Sequence, residues 1–318
     1  MSNLERLVVR AEAMLGQLEQ LLPSTRTPDW DGARAFRWRR RHTGLGVQGW
    51  LQPVRTLSPI RLADLKNVDD QKKAIDRNTR QFVAGLPANN VLLTGSRGTG
   101  KSSLIKALLN AHAGKGLRLI EVDKDDLVDL PDIVDLVAGR PERFIVFCDD
   151  LSFEEGEAGY KALKVALDGS VAAQSDNVLI YATSNRRHLM PEYMDENLEA
   201  KHQPDGEIHP GERVEEKVSL SERFGLWVSF YPFRQDDYLA IVAHWLGTFG
   251  CDAAEIEAAR GDALRFALER GSRSGRVAWQ FAKDWAGRHG RAAPVGRRSA
   301  GATAKAAPAS SAADRRGR

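Results

Sequence analysis

The stretch NVLLTGSRGTGKSSLIKALLN, residues 90–110, decides the fold of this chain. It opens on a short apolar run that predicts a buried strand, and the apolar spacing after Lys101 predicts a helix. Between them, Gly95–Ser102 fits the pattern G-x-x-x-x-G-K-[ST] without departure. A strand before the loop and a helix after it are the context that this pattern requires. The sequence therefore predicts a phosphate-binding loop of the Walker A type.

The residue types of this loop suit the binding of a triphosphate. Its glycines permit backbone angles and close approaches that a side chain would block. Successive backbone N–H groups can then point at phosphate oxygens, beside the positive end of the following helix. Lys101 is expected to reach the β- and γ-phosphates, and the Ser102 hydroxyl to bind Mg²⁺. The residues expected to contact ATP here are Gly95, Ser96, Arg97, Gly98, Thr99, Gly100, Lys101, Ser102 and Ser103.

A pair of acids follows a second apolar run and has the form of a Walker B segment. Phe144–Cys148 predicts a strand, and Asp149 and Asp150 come directly after it. Ligands of open α/β sheets sit at the carboxyl ends of the strands. Asp149 is expected to hold Mg²⁺, and Asp150 to polarise the water that attacks the γ-phosphate. For Asp150, the structural alternative is a helix N-cap or loop acid.

The wider pattern alternates short apolar strands with segments long enough for helices. This alternation predicts an α/β fold of the P-loop NTPase class, with a five-stranded parallel sheet covered by helices on both faces. Beyond Pro232 the spacing turns helical, which predicts a small all-helical lid domain with helices from about Ala254 to Glu269 and from about Gly275 to Gly287. The five expected strands are Asn90–Thr94, Leu117–Val122, Phe144–Cys148, Val178–Ala182 and Phe224–Phe230.

Three polar residues follow the two motifs in order. Asn185 comes at the end of the strand Val178–Ala182, Arg223 precedes the fifth strand, and Arg276 opens the last lid helix. Taken singly, such an asparagine is usually a cap and such an arginine usually solvates a surface. Their order and spacing after the Walker segments give them weight.

With these motifs the chain resembles the AAA+ ATPases from about Leu62 to Trp285, and within them a bacterial family catalogued as domain of unknown function 815. The stretches that carry this resemblance are NVLLTGSRGTGKSSLIKAL, CDDLSFE, ATSNRRHL, SLSERFGLW and GSRSGRVAWQF. It implies a sensor-1 role for Asn185, an arginine-finger role for Arg223 on the nucleotide of a neighbouring subunit, and a sensor-2 role for Arg276, with Arg273 as its rival. It further implies a homo-oligomer, as a ring or open ring, and an adenine pocket lined by residues 62–71.

The expected function is hydrolysis of ATP with Mg²⁺ to drive conformational change in an oligomer that acts on a protein or nucleic-acid client. Asp150 stands where most of the superfamily has Glu, which suggests slow hydrolysis. The connection from Val122 to Phe144 lacks the aromatic residue that protein-threading members carry. Two alternatives stay open: an ATP-switched loader or scaffold with little hydrolysis, and a P-loop small-molecule kinase.

Composition bounds the remaining possibilities. The net charge of +3 is concentrated at the end of the chain, where residues 288–318 hold eight basic residues against one acid. The rest is mildly acidic, which argues against a body covered by nucleic-acid phosphates. Two cysteines make no disulfide framework, and there is no apolar run of membrane-spanning length or signal-like start. We therefore expect a cytoplasmic protein.

Four regions are expected along the chain. Residues 1–60 comprise a helix over 4–22 and an Arg/Trp-rich segment over 30–50, which forms either a structural module or a base-stacking surface. Residues 61–231 form the nucleotide-binding domain, residues 232–288 the helical lid, and residues 289–318 a disordered basic tail. An acidic insertion over 188–220 interrupts the second of these regions.

Overall fold

A computed structural model describes residues 28–44, 46–153, 157–168, 175–186, 189, 201–202, 208–209 and 220–292. The expected N-terminal helix, most of the acidic insertion and the chain beyond residue 292 lie outside the described residues. The strands are β1 (Ala35–Thr43), β2 (Gly46–Pro53), β3 (Val91–Gly95), β4 (Leu117–Glu121), β5 (Arg143–Cys148), β6 (Val178–Thr183), β7 (Lys201–His202), β8 (Ile208–His209) and β9 (Leu226–Phe230). The α-helices are α1 (Asp69–Val83), α2 (Lys101–His112), α3 (Leu130–Val137), α4 (Ala158–Asp168), α5 (Gln235–Thr248), α6 (Ala253–Ala258), α7 (Arg260–Glu269) and α8 (Gly275–Arg288).

The predicted α/β class is confirmed, but the predicted strand count is wrong. The main sheet has seven strands in the order β2-β1-β4-β5-β6-β3-β9. Its five expected strands, β3, β4, β5, β6 and β9, are mutually parallel. The β1–β2 hairpin supplies the two additional strands, with β1 parallel to β4 and antiparallel to β2. A separate two-stranded ladder joins β7 and β8.

The hairpin is tied to β4 and to the turn that follows it. The Arg37 guanidinium donates hydrogen bonds of 2.8 Å and 2.6 Å to Glu121. The Trp38 indole N–H donates to Asp129 over 2.9 Å. Trp30, Phe36 and Trp38 are buried. These three aromatic residues of the Arg/Trp-rich segment thus pack into the core, whereas Trp50 is only partly buried.

Helices cover both faces of the sheet, as the sequence predicted. Alternation along β5 divides its side chains between two cores: Phe144, Val146 and Cys148 belong to one, Ile145 and Phe147 to the other. Helices α3 and α4 contribute to the first core, and α1 and α2 to the second. The apolar strands therefore hold their carboxyl ends in a rigid, two-sided support.

The last four helices form a core of their own. Tyr238 and Phe281 are among its fully buried members. The expected single helix over residues 254–269 is two helices, α6 and α7, which meet at Ala259. Asp252 caps α6 and accepts a hydrogen bond from the Glu255 N–H. No helix among the described residues is long and apolar enough to cross a membrane.

Candidate functional site

The loop between β3 and α2 needs its glycines. Gly95, Gly98 and Gly100 have φ values of 120°, 75° and 102°, in the left-handed region that favours glycine. A β-carbon on Gly95 would lie 1.9 Å from the Phe230 carbonyl oxygen. One on Gly98 would lie 2.7 Å from the β-carbon of Ser274. The loop therefore packs closely against both β9 and the start of α8.

Lys101 is buried at the start of α2, with 5 % of its surface exposed. Its Nζ donates hydrogen bonds to the carbonyls of Gly95 and Ser96, over 2.6 Å and 2.9 Å. It also donates to Asn185 Oδ1 over 3.0 Å. Burial lowers the pKa of Lys101, and the charges of Asp150 and Asp149 oppose this shift. The two loop carbonyls and Asn185 therefore hold the Lys101 ammonium in position.

The first acid of the predicted pair lies against the helix start. Asp149 Oδ1 accepts hydrogen bonds from Ser102 Oγ over 2.5 Å and from Thr183 Oγ1 over 2.6 Å. Carboxylate and hydroxyl oxygens are ligands that suit Mg²⁺, which usually takes one or two protein ligands beside substrate phosphates. The two residues predicted to hold magnesium, Ser102 and Asp149, are thus adjacent and chemically suited to it.

Thr183 anchors both acids, a role that the sequence analysis did not assign. Its hydroxyl donates to Asp149 and accepts a hydrogen bond of 2.9 Å from the Asp150 N–H. The signal that could have found it is its place at the carboxyl end of β6, beside the end of β5. Neighbouring parallel strands bring such ends together.

Asp150 has an unusual backbone and two side-chain partners. Its φ is 53°, a left-handed conformation that few residues other than glycine adopt. Asn185 Nδ2 donates to Asp150 Oδ1, and Arg97 Nη2 lies 3.9 Å from Asp150 Oδ2. The following helix, α4, begins only at Ala158, so Asp150 is not its N-cap. The Asn185 amide therefore links Lys101 to Asp150. The sequence predicts this position, beside the expected attacking water.

These side chains line one cavity of about 1180 Å³ between the sheet and the lid. The polar part of its lining includes loop residues 97–100, the two acids and Asn185. The lining also has apolar and aromatic walls, in which the Trp245 and Trp279 rings lie 4.6 Å apart between centroids. The apolar lining comprises Pro59, Ile60, Leu65, Val68, Phe233, Ile241, Trp245 and Trp279. The expected adenine segment, residues 62–71, contributes to these apolar walls, whereas the tryptophans were not expected from the sequence.

The lid reaches the site at two points. The Gly275 N–H donates a hydrogen bond of 2.9 Å to the Gly98 carbonyl, and Arg276 lines the cavity beside it. At the second point, His244 Nε2 of the lid lies 3.5 Å from Asp64 Oδ1. Burial and nearby Lys66 lower the pKa of His244, and Asp64 opposes that shift. Core and lid thus meet around the cavity.

Asp64 is further held by Arg61 at the edge of the cavity. Burial alone would raise the pKa of Asp64, but hydrogen bonds from Arg61 outweigh it and leave that pKa below its usual value. The Arg61 backbone N–H donates over 2.8 Å and its guanidinium over 3.0 Å. The carboxylate that faces His244 is therefore kept charged.

The structure brings together every predicted site residue except Arg223. Gly95 and Ser96 act through their carbonyls on Lys101, and the others line the cavity. Arg273, the rival of Arg276, is exposed and is not part of the lining. Arg223 does not line the cavity either: its Nε donates a hydrogen bond of 2.5 Å to Asp168 Oδ1, at the end of α4.

Solved structures similar to this chain include three kinds of protein. The RuvB Holliday junction branch migration motor of Thermotoga maritima is 14% identical, over 71% of this chain and 63% of that one, with a TM-score of 0.44. The HORMA–CdnC–Trip13 complex of E. coli MS115-1 gives 13% identity, coverages of 81% and 97%, and a TM-score of 0.48. A DNA replication initiation factor gives 16% identity, coverages of 71% and 64%, and a TM-score of 0.43.

This chain spans less than two thirds of the RuvB and replication-factor chains. No curated protein matches it. A family model does: the one described as "Protein of unknown function (DUF815)" matches residues 31–289, which includes the whole cavity and both helices that bring the lid to it. The sequence resemblance to this family is thereby confirmed, and the chain belongs to DUF815.

Proposed function

We propose that this protein binds ATP with Mg²⁺ and hydrolyses it to drive a conformational change in an oligomer that acts on a protein or nucleic-acid client. One observation carries the proposal. Lys101, the Ser102–Asp149 pair and the Asp150–Asn185 pair meet in the lining of a single cavity. The same cavity offers flat aromatic and apolar walls that suit a nucleobase.

Each group then has a defined task. The backbone N–H groups of the loop and the Lys101 ammonium would neutralise the phosphates. Ser102 and Asp149 would hold Mg²⁺, which would supply charge stabilisation to the phosphate groups. Asn185 would orient a water molecule against the γ-phosphorus, because its amide lies between Lys101 and Asp150.

In the reaction, the water oxygen bonds to the γ-phosphorus as the bond from that phosphorus to the β–γ bridging oxygen breaks. The bridging oxygen leaves with the electron pair on ADP. A proton passes from the water to Asp150 and is returned to the inorganic phosphate. Asp150 suits this exchange because its carboxylate is 57% exposed in the open part of the site.

The lid would couple nucleotide binding to the conformational change. The Gly98–Gly275 hydrogen bond and Arg276 connect the phosphate loop to α8. Nucleotide binding would thus change how tightly the lid is held. Arg223 does not line the cavity of its own chain, and we propose that it serves the nucleotide of a neighbouring subunit, as the sequence resemblance implies.

The experiment compares ATP hydrolysis by the full chain with and without Mg²⁺. Lys101→Ala should abolish binding of a fluorescent ATP analogue. Asp150→Asn should keep binding but lose about 100-fold or more of turnover, because the acceptor for the water proton is gone. Asp125→Asn, at an exposed acid on the turn before α3, is the matched control and should match wild type. Micromolar ATP affinity in Lys101→Ala would refute the site.

The same set of proteins separates hydrolysis from an ATP switch. The shorter reach of Asp150 and its hydrogen bond to Asn185 favour slow turnover. A loader or scaffold would capture its client in the Asp150→Asn form as well as in the wild type. A remodelling ATPase would capture the client but fail to release it. A phosphorylated small molecule among the products would instead indicate a kinase.

A further inference from the structure

Arg97 lines the cavity, but the sequence predicts no chemical role for it beyond membership of the loop. In the proposed function, Asp150 and Asn185 mark the place of the attacking water. The Arg97 guanidinium is 3.9 Å from Asp150 Oδ2, so it lies beside this place. The side chain therefore has a position from which it could touch the reacting phosphate.

The backbone on both sides of Arg97 is fixed. The Ser96 carbonyl accepts hydrogen bonds from Lys101 Nζ and from Thr99 Oγ1, over 2.9 Å and 2.8 Å. The Gly98 carbonyl accepts one from the Gly275 N–H over 2.9 Å. The Arg97 side chain itself is 78% exposed. Its head can therefore change partner while its Cα stays in place.

The contact with Asp150 is a weak one. At 3.9 Å it is too long for a hydrogen bond, and both side chains are more than half exposed, so water screens their attraction. A phosphate group carries more charge than a carboxylate and offers a guanidinium two parallel acceptors. A γ-phosphate that enters the loop would therefore compete successfully for Arg97.

Other cations near the site have different places. Lys101 is held by two carbonyls and by Asn185. Arg276 belongs to the lid, and Arg223 is bonded to Asp168 and does not line the cavity. The lining also includes Arg61, Lys66 and Lys106. Among the described residues, Arg97 is the arginine that lies within ion-pair distance of Asp150.

We propose that Arg97 is a catalytic arginine supplied in cis: it binds the γ-phosphate oxygens during hydrolysis, with Asp150 as its alternative partner. This inference rests on the proposed ATPase function. As the bond to the β–γ bridging oxygen breaks, negative charge spreads over the γ-phosphate oxygens, and a guanidinium beside them stabilises that charge. Release of Asp150 by Arg97 also leaves the carboxylate able to accept the proton of water.

The test uses the full chain and measures affinities for ATP and ADP together with turnover. Arg97→Ala should lower kcat by about tenfold or more, and should weaken ATP binding more than ADP binding, because only ATP has the γ-phosphate. Arg97→Lys should recover part of the turnover, since it keeps the charge but not the two-pronged geometry. Arg77→Ala, which removes an exposed arginine on α1, is the matched control and should equal wild type.

Three results would overturn the inference while leaving the ATPase proposal intact. The first is turnover by Arg97→Ala equal to or above that of wild type. The second is an equal loss of ATP and ADP affinity, which would indicate a collapsed loop. The third is full activity in Arg97→Lys, because a lone point charge would then suffice. If wild type neither binds nor hydrolyses ATP, the proposed function fails and this inference fails with it.

Discussion

The Gly275 N–H, at the start of α8, donates a hydrogen bond of 2.9 Å to the carbonyl of Gly98 in the phosphate loop. The two residues are far apart in sequence, and their bond joins the lid directly to the loop that we propose binds the nucleotide phosphates. Gly275 also approaches this carbonyl closely enough that a β-carbon on it would lie 3.2 Å away. Small residues on both sides therefore make this junction possible.

Gly98→Ala should disrupt that junction. The new β-carbon would lie 2.7 Å from the Ser274 β-carbon at a φ of 75°, so both the lid contact and the loop backbone are strained. We expect a loss of about 1 kcal/mol or more in the free energy of unfolding, with weaker nucleotide binding, measured by denaturant titration and fluorescence. Gly114→Ala is the control, because a β-carbon there meets nothing within 4 Å. Equal behaviour of the two variants would contradict the assigned contact.

Arg223→Ala should preserve ATP binding and suppress hydrolysis if Arg223 serves a neighbouring subunit. Addition of Lys101→Ala protein, which has an intact Arg223 but no nucleotide, should then restore part of the turnover. Asp168→Ala is the matched variant, because it removes the partner that holds Arg223 within its own chain without removing the arginine. It should retain activity. Turnover per chain that is independent of protein concentration would argue against action between subunits.

Stability should fall as pH falls through the titration of His244. Its pKa is lowered from 6.5 in the folded protein by burial, so the unfolded chain binds a proton more readily. The contribution of neutral His244 to the free energy of unfolding is therefore complete above about pH 6.5 and is lost below it. The free energy of unfolding should fall by at most about 1.4 kcal/mol per pH unit in that range. His244→Gln should flatten the unfolding free energy between pH 7 and pH 5, whereas His42→Gln, at an exposed position, should not. Identical slopes in all three proteins would count against the assignment.

Nucleotide binding should change the fluorescence of the two cavity tryptophans. Trp245 and Trp279 line the cavity, so a base that stacks on them should quench their emission. Trp245→Phe should lose a large part of the ATP-induced change. Trp50→Phe, on the β1–β2 hairpin away from the cavity lining, should keep it. A full response in Trp245→Phe would show that the base binds elsewhere.

The loop, the acid pair and the five parallel strands could be predicted because each is encoded locally. Gly95–Ser102 needs only its own residue types, and an apolar run such as Phe144–Cys148 predicts its own strand. Asp149 and Asp150 were placed correctly because the carboxyl ends of parallel strands share one edge of a sheet. For the same reason, Asn185 was expected beside them.

The remaining features depend on contacts between distant segments. The hairpin joins the sheet through Arg37 and Glu121, which are 84 residues apart, and no local pattern predicts such a pairing. The tryptophan wall arises only when α5 and α8 fold over the cavity. The pairing of Arg97 with Asp150 likewise depends on how the loop and β5 are set in space.

Asp150 carries a further consequence through its left-handed backbone. A conformation at φ 53° costs a side-chain-bearing residue on the order of 1 kcal/mol that glycine would not incur. A glycine here would make a more stable fold but would remove the carboxylate that we propose as the proton acceptor. Stability of the fold and the proposed ATP turnover therefore favour different residues at position 150. Laboratory evolution for heat resistance alone should discard the carboxylate early, whereas evolution that also demands ATP consumption should keep it.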